Sequence, residues 1–466
     1  MIYRKEIEIK DHYDLCVAGG GFSGFACAYA AAREGLRVLL IERECALGGV
    51  GTLGLVTDIL GSRYIHPDGR VTAVVGDLFT ELESRLIGEG AAVDISDIDF
   101  DLNPHGWLRG LAHGLIYDKE RMKLLLEQML AEVGAEILYS TDVIDAIRVG
   151  ERITSLLLHN KSGIYAVSAD YFADTTGDAD LARMSGCKAF KGDDDGGLSA
   201  ASLEMQVENV DEAELTEYME RTGDRRFKAI IQRLIESGEW KYPYKIFISV
   251  KLTPPGVFMI NTIRQTDVDG SDAYSVTRAV IDGRAESYEL LSIIRRHFPG
   301  FKNATIREIA PRLGVRETYR IESEYTLTVE DLAQGREFAD SIAMSSYGWD
   351  MPHPKDPNYH PSASIERKSP FAIIPYGSLV VRGVDNLIAA GRCIGVEREA
   401  LGPIRVMAPC IAMGVAAGIA ASLAKNGAKP FRDINVGELK RLIRSHGGIT
   451  ELSETHEIEL KREKEN

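Results

Sequence analysis

Six residues, Gly19-Gly20-Gly21-Phe22-Ser23-Gly24, separate an apolar run, Leu15-Cys16-Val17-Ala18, from a stretch of small residues, Phe25-Ala26-Cys27-Ala28-Tyr29-Ala30-Ala31-Ala32. Glycines at the first, third and sixth places suit a dinucleotide. Gly19 permits a tight turn from strand to helix, Gly21 lets backbone approach a pyrophosphate, and Gly24 lets the helix lie close on the sheet. The helix start, with Phe22 and Ser23, then offers unpaired N–H groups and a partial positive charge to the phosphates. Glu42 closes the run Arg37-Val38-Leu39-Leu40-Ile41, 23 residues after Gly19, where a carboxylate can accept hydrogen bonds from ribose hydroxyls; Arg43 follows it. A second stretch, Leu47-Gly48-Gly49-Val50-Gly51-Thr52-Leu53-Gly54, is so rich in glycine that backbone must border a ligand there, which adds Gly48, Gly49 and Thr52 to the candidates.

These groups work only if strands and helices hold them. Residues 15–41 read as strand, turn, helix and strand in that order. The run Tyr171-Phe172-Ala173-Asp174-Thr175-Thr176-Gly177-Asp178 ends a strand at small residues, so that Thr176, Gly177 and Asp178 can pass close to a cofactor. Strand-like pieces at 136–139 and 143–147 precede a hairpin-like 153–167. From about residue 195 the pattern changes to strands at 203–207 and 244–250 with acidic helices such as 211–221, then a long helix over 277–297. Residues 351–370 hold five prolines and no periodicity, as lids and binding loops do. Strands are expected at 372–375, 379–381 and 386–391, followed by an uncharged segment, 406–424.

At 466 residues the chain exceeds one core. The expected division is 1–195 and 371–430 for a dinucleotide-binding domain in two parts, 196–370 for an inserted substrate domain with a lid-like loop at 351–370, and 431–466 for a helix and charged tail. The net charge of −16 argues against nucleic acid as a partner. Six cysteines without a C-x-x-C pair indicate neither zinc, an iron–sulfur cluster nor a dithiol centre, and no metal is expected. The acids Asp193-Asp194-Asp195 read as a solvated loop. A charged N-terminus without an apolar core gives no signal peptide, so a cytoplasmic protein is expected. The 406–424 segment matches a membrane span in length but is dominated by Ala and Gly, with Pro409 inside it, and reads as a buried helix.

Together these pieces resemble the FAD-dependent oxidoreductases of the glutathione-reductase-like class, and more closely the bacterial FAD-dependent oxidoreductase family. The resemblance covers nearly the whole chain. It rests on the glycine turn with Glu42, on Leu47-Gly48-Gly49, on Asp174-Thr175-Thr176-Gly177-Asp178-Ala179-Asp180, and on Gly314-Val315-Arg316-Glu317-Thr318-Tyr319-Arg320-Ile321. Most discriminating are Asn386-Leu387-Ile388-Ala389-Ala390-Gly391-Arg392-Cys393 and the 405–424 segment. The resemblance implies an α/β fold: a Rossmann-type FAD-binding domain, three-layered with a parallel sheet, and an inserted α+β substrate domain. It implies non-covalently bound FAD, with Gly391 and Arg392 along the ribityl chain or pyrophosphate. The helix after Arg405 and Val406 would face the flavin pyrimidine edge, with Arg405 as the cation that stabilises reduced flavin.

For catalysis the resemblance points to His353, as a proton-moving group, and to Tyr376 on a strand near the isoalloxazine. Arg316 and Arg320, one turn apart, suit either a substrate carboxylate or an internal ion-pair network. Where family members commonly carry two histidines after Gly-Arg-Cys-Ile, this chain has Arg398 and Leu401, and Arg398 would favour an anionic substrate. The function implied is hydride transfer between flavin N5 and a carbon of a small polar substrate, anionic or sugar-like. The alternative is an FAD-carrying electron-transfer subunit served by a separate redox partner. The external electron donor or acceptor is not identified by sequence, and a homo-oligomer is compatible with it.

Overall fold

Strand Ile9–Ala18 is apolar on both faces toward its C-terminal end because it is covered on both. In the computed structural model, which describes residues 6–95 and 114–458, Leu15 and Val17 join the core beneath the helices, whereas Cys16 and Ala18 join a second core beneath an antiparallel meander. The parallel part of this sheet runs Glu136–Leu138, Val38–Ile41, Ile9–Ala18, Gly163–Asp174, Leu387–Ala389. On the edge away from Ile9–Ala18, Gly163–Asp174 pairs twice: residues 163–168 join Arg152–Asn160 of the meander, and residues 172–174 join Leu387–Ala389. In this register Ala18 stands opposite both Ile41 and Asp174, and Asp174 opposite Ala389. Four strands far apart in sequence therefore end along one edge, which is where ligands of open parallel sheets bind.

The uncharged segment is the helix Met407–Gly427, laid on the glycine-turn helix Phe22–Arg33. A Cβ at Gly414 would stand 2.3 Å from the Ser23 carbonyl oxygen, and one at Gly418 would stand 2.3 Å from that of Cys27. Small residues thus set the backbone spacing of the pair. Among the described residues this is the one helix long and apolar enough to cross a membrane, and it is nearly all buried within the protein.

The inserted lobe contains a four-stranded antiparallel sheet ordered Ser249–Lys251, Phe258–Ile260, Met205–Glu208, Thr305–Ile309. Its core gathers Phe227, Phe247, Phe258, Phe298, Phe301 and Trp240 under the helices Glu212–Thr222, Lys228–Glu236 and Ala273–His297. The architecture is thus a parallel-sheet α/β fold with an α+β insertion, as expected.

Local differences have local causes. The long helix begins at Ala273 rather than 277, because Asp272 caps it by accepting the Ser275 N–H at 2.7 Å. Of 244–250 only Ser249–Lys251 joins a ladder, and 379–381 makes isolated bridges to Ile388 and Ser323 instead of a strand. The 351–370 loop contains a single turn of 3-10 helix, Pro361–Ser364, and is tied down by Asn358, which donates to the Pro243 carbonyl and accepts from the Lys245 N–H. Asp193 binds the Asp195 and Gly197 N–H groups in a turn. Residues 459–466 of the expected tail and Met1–Lys5 lie outside the described residues.

Candidate functional site

The common strand edge opens into a cleft of about 1250 Å³, counting the space at its mouth. Of the residues nominated for cofactor binding, Gly19, Gly21, Phe22, Ser23, Glu42, Arg43, Gly48 and Gly49 line it, as do Thr176, Gly177, Asp178, Gly391, Arg392 and Arg405. Gly24, Thr52 and Val406 do not. A Cβ on Gly24 would meet the Gly19 carbonyl oxygen at 1.8 Å, so this glycine closes the turn against its own strand. The Thr52 hydroxyl donates to the Leu47 carbonyl at 2.5 Å and shapes the second glycine loop from within. Val406 is the N-cap of the long helix, and its neighbours Arg405 and Met407 reach the cleft instead.

The outer end of the cleft is made of backbone and answered carboxylates. Gly19 has φ +101°, and a Cβ there would strike the Thr175 carbonyl, whereas a Cβ on Gly21 would enter open space. Glu42 accepts the Gly20 N–H at 2.6 Å on one oxygen and the Glu44 N–H at 2.9 Å on the other. Each oxygen keeps a lone pair for a ribose hydroxyl. Asp174, fully buried, accepts from the Thr176 hydroxyl at 2.7 Å and the Ala182 N–H at 2.9 Å, and burial raises its pKa. Asp178 pairs with Arg392 at 2.6 Å, which fixes that guanidinium beside Gly177. Asp180, on the cleft wall, is pushed up to about 6 by burial and by the charges of Asp178 and Asp174.

Arg312 is a cleft residue that no sequence pattern singled out. It follows Thr305–Ile309, the last strand in sequence of the four-stranded sheet, and its guanidinium lies 3.6 Å from where a Cβ of Gly49 would be. Among the described residues it has no ion pair or side-chain hydrogen bond. Burial, then repulsion from Arg43, pulls its pKa below the ordinary value. An unpaired, desolvated cation facing the open Gly21 turn fits a pyrophosphate. The residues present therefore fit FAD.

At the inner end Arg405 donates to the Asp350 carbonyl at 2.8 Å and to its carboxylate at 3.0 Å, while the Arg405 Nε is buried with no partner. Beside it starts the 21-residue helix, with no side-chain cap and with Pro409 in its first turn. The helix start is left to meet negative charge. Tyr347 donates to Asp350 at 3.3 Å, and His360 lies 3.7 Å from the same carboxylate. Both were missed because Tyr347 and Asp350 precede the proline-rich loop and His360 falls within it, in a stretch without periodicity.

The nominated catalytic side chains, His353, Arg316, Arg398 and Tyr376, do not line this cleft, and each has hydrogen-bond partners within the protein. Arg398, 6 % exposed, gives Glu317 two hydrogen bonds at 3.0 and 2.7 Å and also donates to Ser199 and the Pro352 carbonyl. Arg320 joins the same carboxylate at 3.4 Å. Arg316 donates to Ser202 at 2.8 Å and to the Ala200 carbonyl. Arg320 and Arg398 thus share the Glu317 carboxylate, while Arg316 is engaged by neutral oxygens. Tyr376 is buried with its hydroxyl on the Phe431 carbonyl at 2.8 Å, and burial drives its pKa far up. His353 accepts the Lys355 N–H at 3.2 Å in a turn of its own loop and is not part of the cleft lining. No grouping of metal ligands occurs among the described residues.

Fold and cleft together define a flavin-dinucleotide-binding α/β enzyme. A model of the family "FAD dependent oxidoreductase" matches residues 14–443, and the chain belongs to that family; its cofactor is FAD. A digeranylgeranylglycerophospholipid reductase of Methanococcoides burtonii is 39 % identical over 79 residues, covering 13 % of this chain and 20 % of that one. The chain thus matches about a fifth of that relative's length. Among solved structures, a geranylgeranyl bacteriochlorophyll reductase-like protein of Thermoplasma acidophilum is similar with TM-score 0.46 and 13 % identity, covering 93 % of this chain and 84 % of that one. An anhydrotetracycline hydroxylase of Streptomyces rimosus is similar with TM-score 0.46 and 12 % identity, covering 93 % and 65 %. Likeness at this level carries no functional inference.

Proposed function

We propose that the protein transfers a hydride between flavin N5 and a carbon of a small polar substrate. The observation that carries this reading is the polarity of the two cleft ends. At one, the open Gly21 turn faces unpaired Arg312; at the other, Arg405 stands beside an uncapped helix start. Bound FAD supplies the hydride-accepting or hydride-donating ring. The protein's part is to hold the cofactor and choose the partner. Glu42 orients the adenosine ribose, Gly21, Ser23 and Arg312 hold the pyrophosphate, and Gly391 and Arg392 flank the linker. Arg405 and the Met407 helix start favour negative charge at the pyrimidine edge.

We assign the FAD-binding half to the glutathione-reductase-like class, on the parallel sheet covered by helices on one face and a meander on the other. The lobe at 196–370 selects the substrate. Six free cysteines fit a cytoplasmic setting. The engagement of Arg316 and Arg398 within the protein favours a neutral substrate over the anionic one.

The test is purification followed by spectroscopy. A yellow protein with bands near ~375 and ~450 nm, whose flavin is released by acid as FAD, and whose colour bleaches anaerobically with one of a panel of sugars, hydroxy acids and amines, is expected. Flavin that no small molecule bleaches, but that exchanges electrons with a carrier protein, would replace this reading by that of an electron-transfer subunit.

A further inference from the structure

Behind the inner end of the cleft, two buried carboxyl groups lie within electrostatic reach of each other at the junction between the FAD-binding half and the inserted lobe. Asp58 opens the strand Asp58–Leu60 on one side. Glu204 lies on the other, just before the strand Met205–Glu208, and two residues from Ser202, which pairs in register with Arg264. Arg264 donates to the Ser202 hydroxyl at 2.8 Å, so Ser202, Glu204 and Arg264 share one face. Asp58, Glu204 and Arg264 are 7 %, 2 % and 8 % exposed.

The arrangement is incomplete by itself. Glu204 Oε2, Arg264 Nε, Thr57 Oγ1 and Asn261 Oδ1 are all buried without a hydrogen-bond partner among the described residues. A folded protein rarely leaves such groups unanswered, and four near one junction call for a ligand that both donates and accepts. The place is right for a substrate. Tyr117, close enough to feel both carboxyl charges, packs edge-on against Phe22 of the cleft and donates to the Gly51 carbonyl at 2.7 Å. A Cβ on Gly51 would meet Met407 of the helix start at 2.8 Å.

We propose that Asp58, Glu204 and Arg264, with Thr57, form a binding site for adjacent hydroxyl groups of a neutral polyol or sugar. This rests on the hydride-transfer reading above. The charge balance selects the class. With one proton held between them the two carboxyl groups carry at most one negative charge, which Arg264 offsets, so neither an anion nor an ammonium group finds an unbalanced countercharge in the pair. A hydroxyl group donates once and accepts twice, which matches the mixed set of unanswered atoms. Burial pushes Asp58 up to about 7 and, with Asp58's charge added, raises Glu204 well above the ordinary range against the pull of Arg264. The pair therefore keeps a proton near neutral pH and has an O–H to give as well as oxygens to receive. The remaining groups around it are Arg316, which donates to the same Ser202 hydroxyl at 2.8 Å, Tyr244, whose ring lies 4.6 Å under the Arg264 guanidinium, Tyr117, and Tyr347, the last held by Asp350 next to Arg405.

The experiment titrates oxidised holoenzyme, without oxygen, with D-glucose, D-mannitol and myo-inositol, with L-lactate and D-gluconate, and with putrescine, following the flavin spectrum and Tm. A neutral polyol is expected to perturb both at or below ~10 mM, and Asp58→Asn and Glu204→Gln are each expected to weaken it about tenfold or more. Silence from every neutral polyol, binding of lactate or putrescine in their place, or unchanged polyol affinity in both variants overturns the proposal. Binding is read before reduction, so a polyol that binds without bleaching defeats the hydride reading and leaves this site standing.

A second readout needs neither ligand nor variant catalysis. A carboxyl whose folded pKa is raised keeps a proton that the unfolded chain releases, so stability falls as pH climbs from the ordinary 3.8 toward about 7 and then levels. Asp58→Asn is expected to flatten that fall in Tm, and a slope equal to the parent's counts against the pair. Should the variants fail to fold, infrared spectra of the parent are expected to show a protonated-carboxyl band persisting at neutral pH. Its absence overturns the proton-keeping pair.

Discussion

The outer and inner ends of the cleft are built on opposite terms. At the outer end the carboxylates of Glu42, Asp174 and Asp178 are each engaged by backbone N–H groups, a hydroxyl or Arg392, which leaves open backbone and the Arg312 cation to meet the ligand. At the inner end Arg405 Nε is buried and unanswered, and behind it, outside the cleft lining, so are Arg264 Nε, Thr57 Oγ1 and Glu204 Oε2. The first is a finished seat for a tightly held cofactor. The second becomes complete only when a substrate brings its own hydrogen bonds, which is how a buried site rejects molecules lacking them.

The largest effect that would sharpen this contrast is at the outer turn. Gly24→Val places side-chain atoms against the Gly19 carbonyl, a position already filled, and is expected to cost more than ~3 kcal/mol and to yield protein without flavin. Glu204→Gln, by contrast, is expected to retain its full flavin content, measured by absorbance against protein. Equal flavin loss in both would erase the distinction.

Next in size is Arg398→Ala, which leaves Glu317 buried without its main partner. A loss of about 3–5 kcal/mol in urea unfolding is expected, with no change in KM for the bleaching substrate. A raised KM at unchanged stability would return Arg398 to the substrate. Arg312→Gln removes the outer cation, and the apoprotein is expected to bind FAD ~10–100-fold more weakly by fluorescence titration while melting no lower than the parent. The smallest effect is at His353: replacement by Ala is expected to shift stability by less than ~0.5 kcal/mol and turnover by less than twofold, since its ring accepts only a hydrogen bond from its own loop.

What the sequence made readable follows the same division. The outer end is encoded locally: glycine spacing, a strand, a helix and an acid lie within one βαβ unit, and each has one conformational use. The return strand was also readable, because Leu387–Ala389 must be apolar to lie beside Gly163–Asp174 and its glycine must follow at the tip. The polyol site proposed behind the inner end draws on Asp58, Glu204 and Arg264, with Tyr347 nearby, which sit on four separate segments with no shared motif and meet only through the packing of the lobe on the sheet. Conversely, Arg316, Arg320 and Arg398 look like anion-binding forks in sequence. What Arg320 and Arg398 meet is Glu317, 1 % exposed, and what Arg316 meets is the Ser202 hydroxyl and the Ala200 carbonyl, none of which a local pattern announces. His353 and Tyr376 were drawn in by position alone, and their partners show what position omits.

The double pairing of Gly163–Asp174 has a consequence for how the enzyme is made. Half of the seat proposed for the flavin is a strand and helix that follow the glycine turn by more than 360 residues, so a chain emerging from the ribosome carries the turn, Glu42 and an unpaired strand edge long before Leu387–Ala389 can cover that edge. With that seat, flavin capture would be a late event, coming after synthesis has passed Gly427, and the growing chain must shelter its longest parallel strand until Leu387–Ala389 arrives.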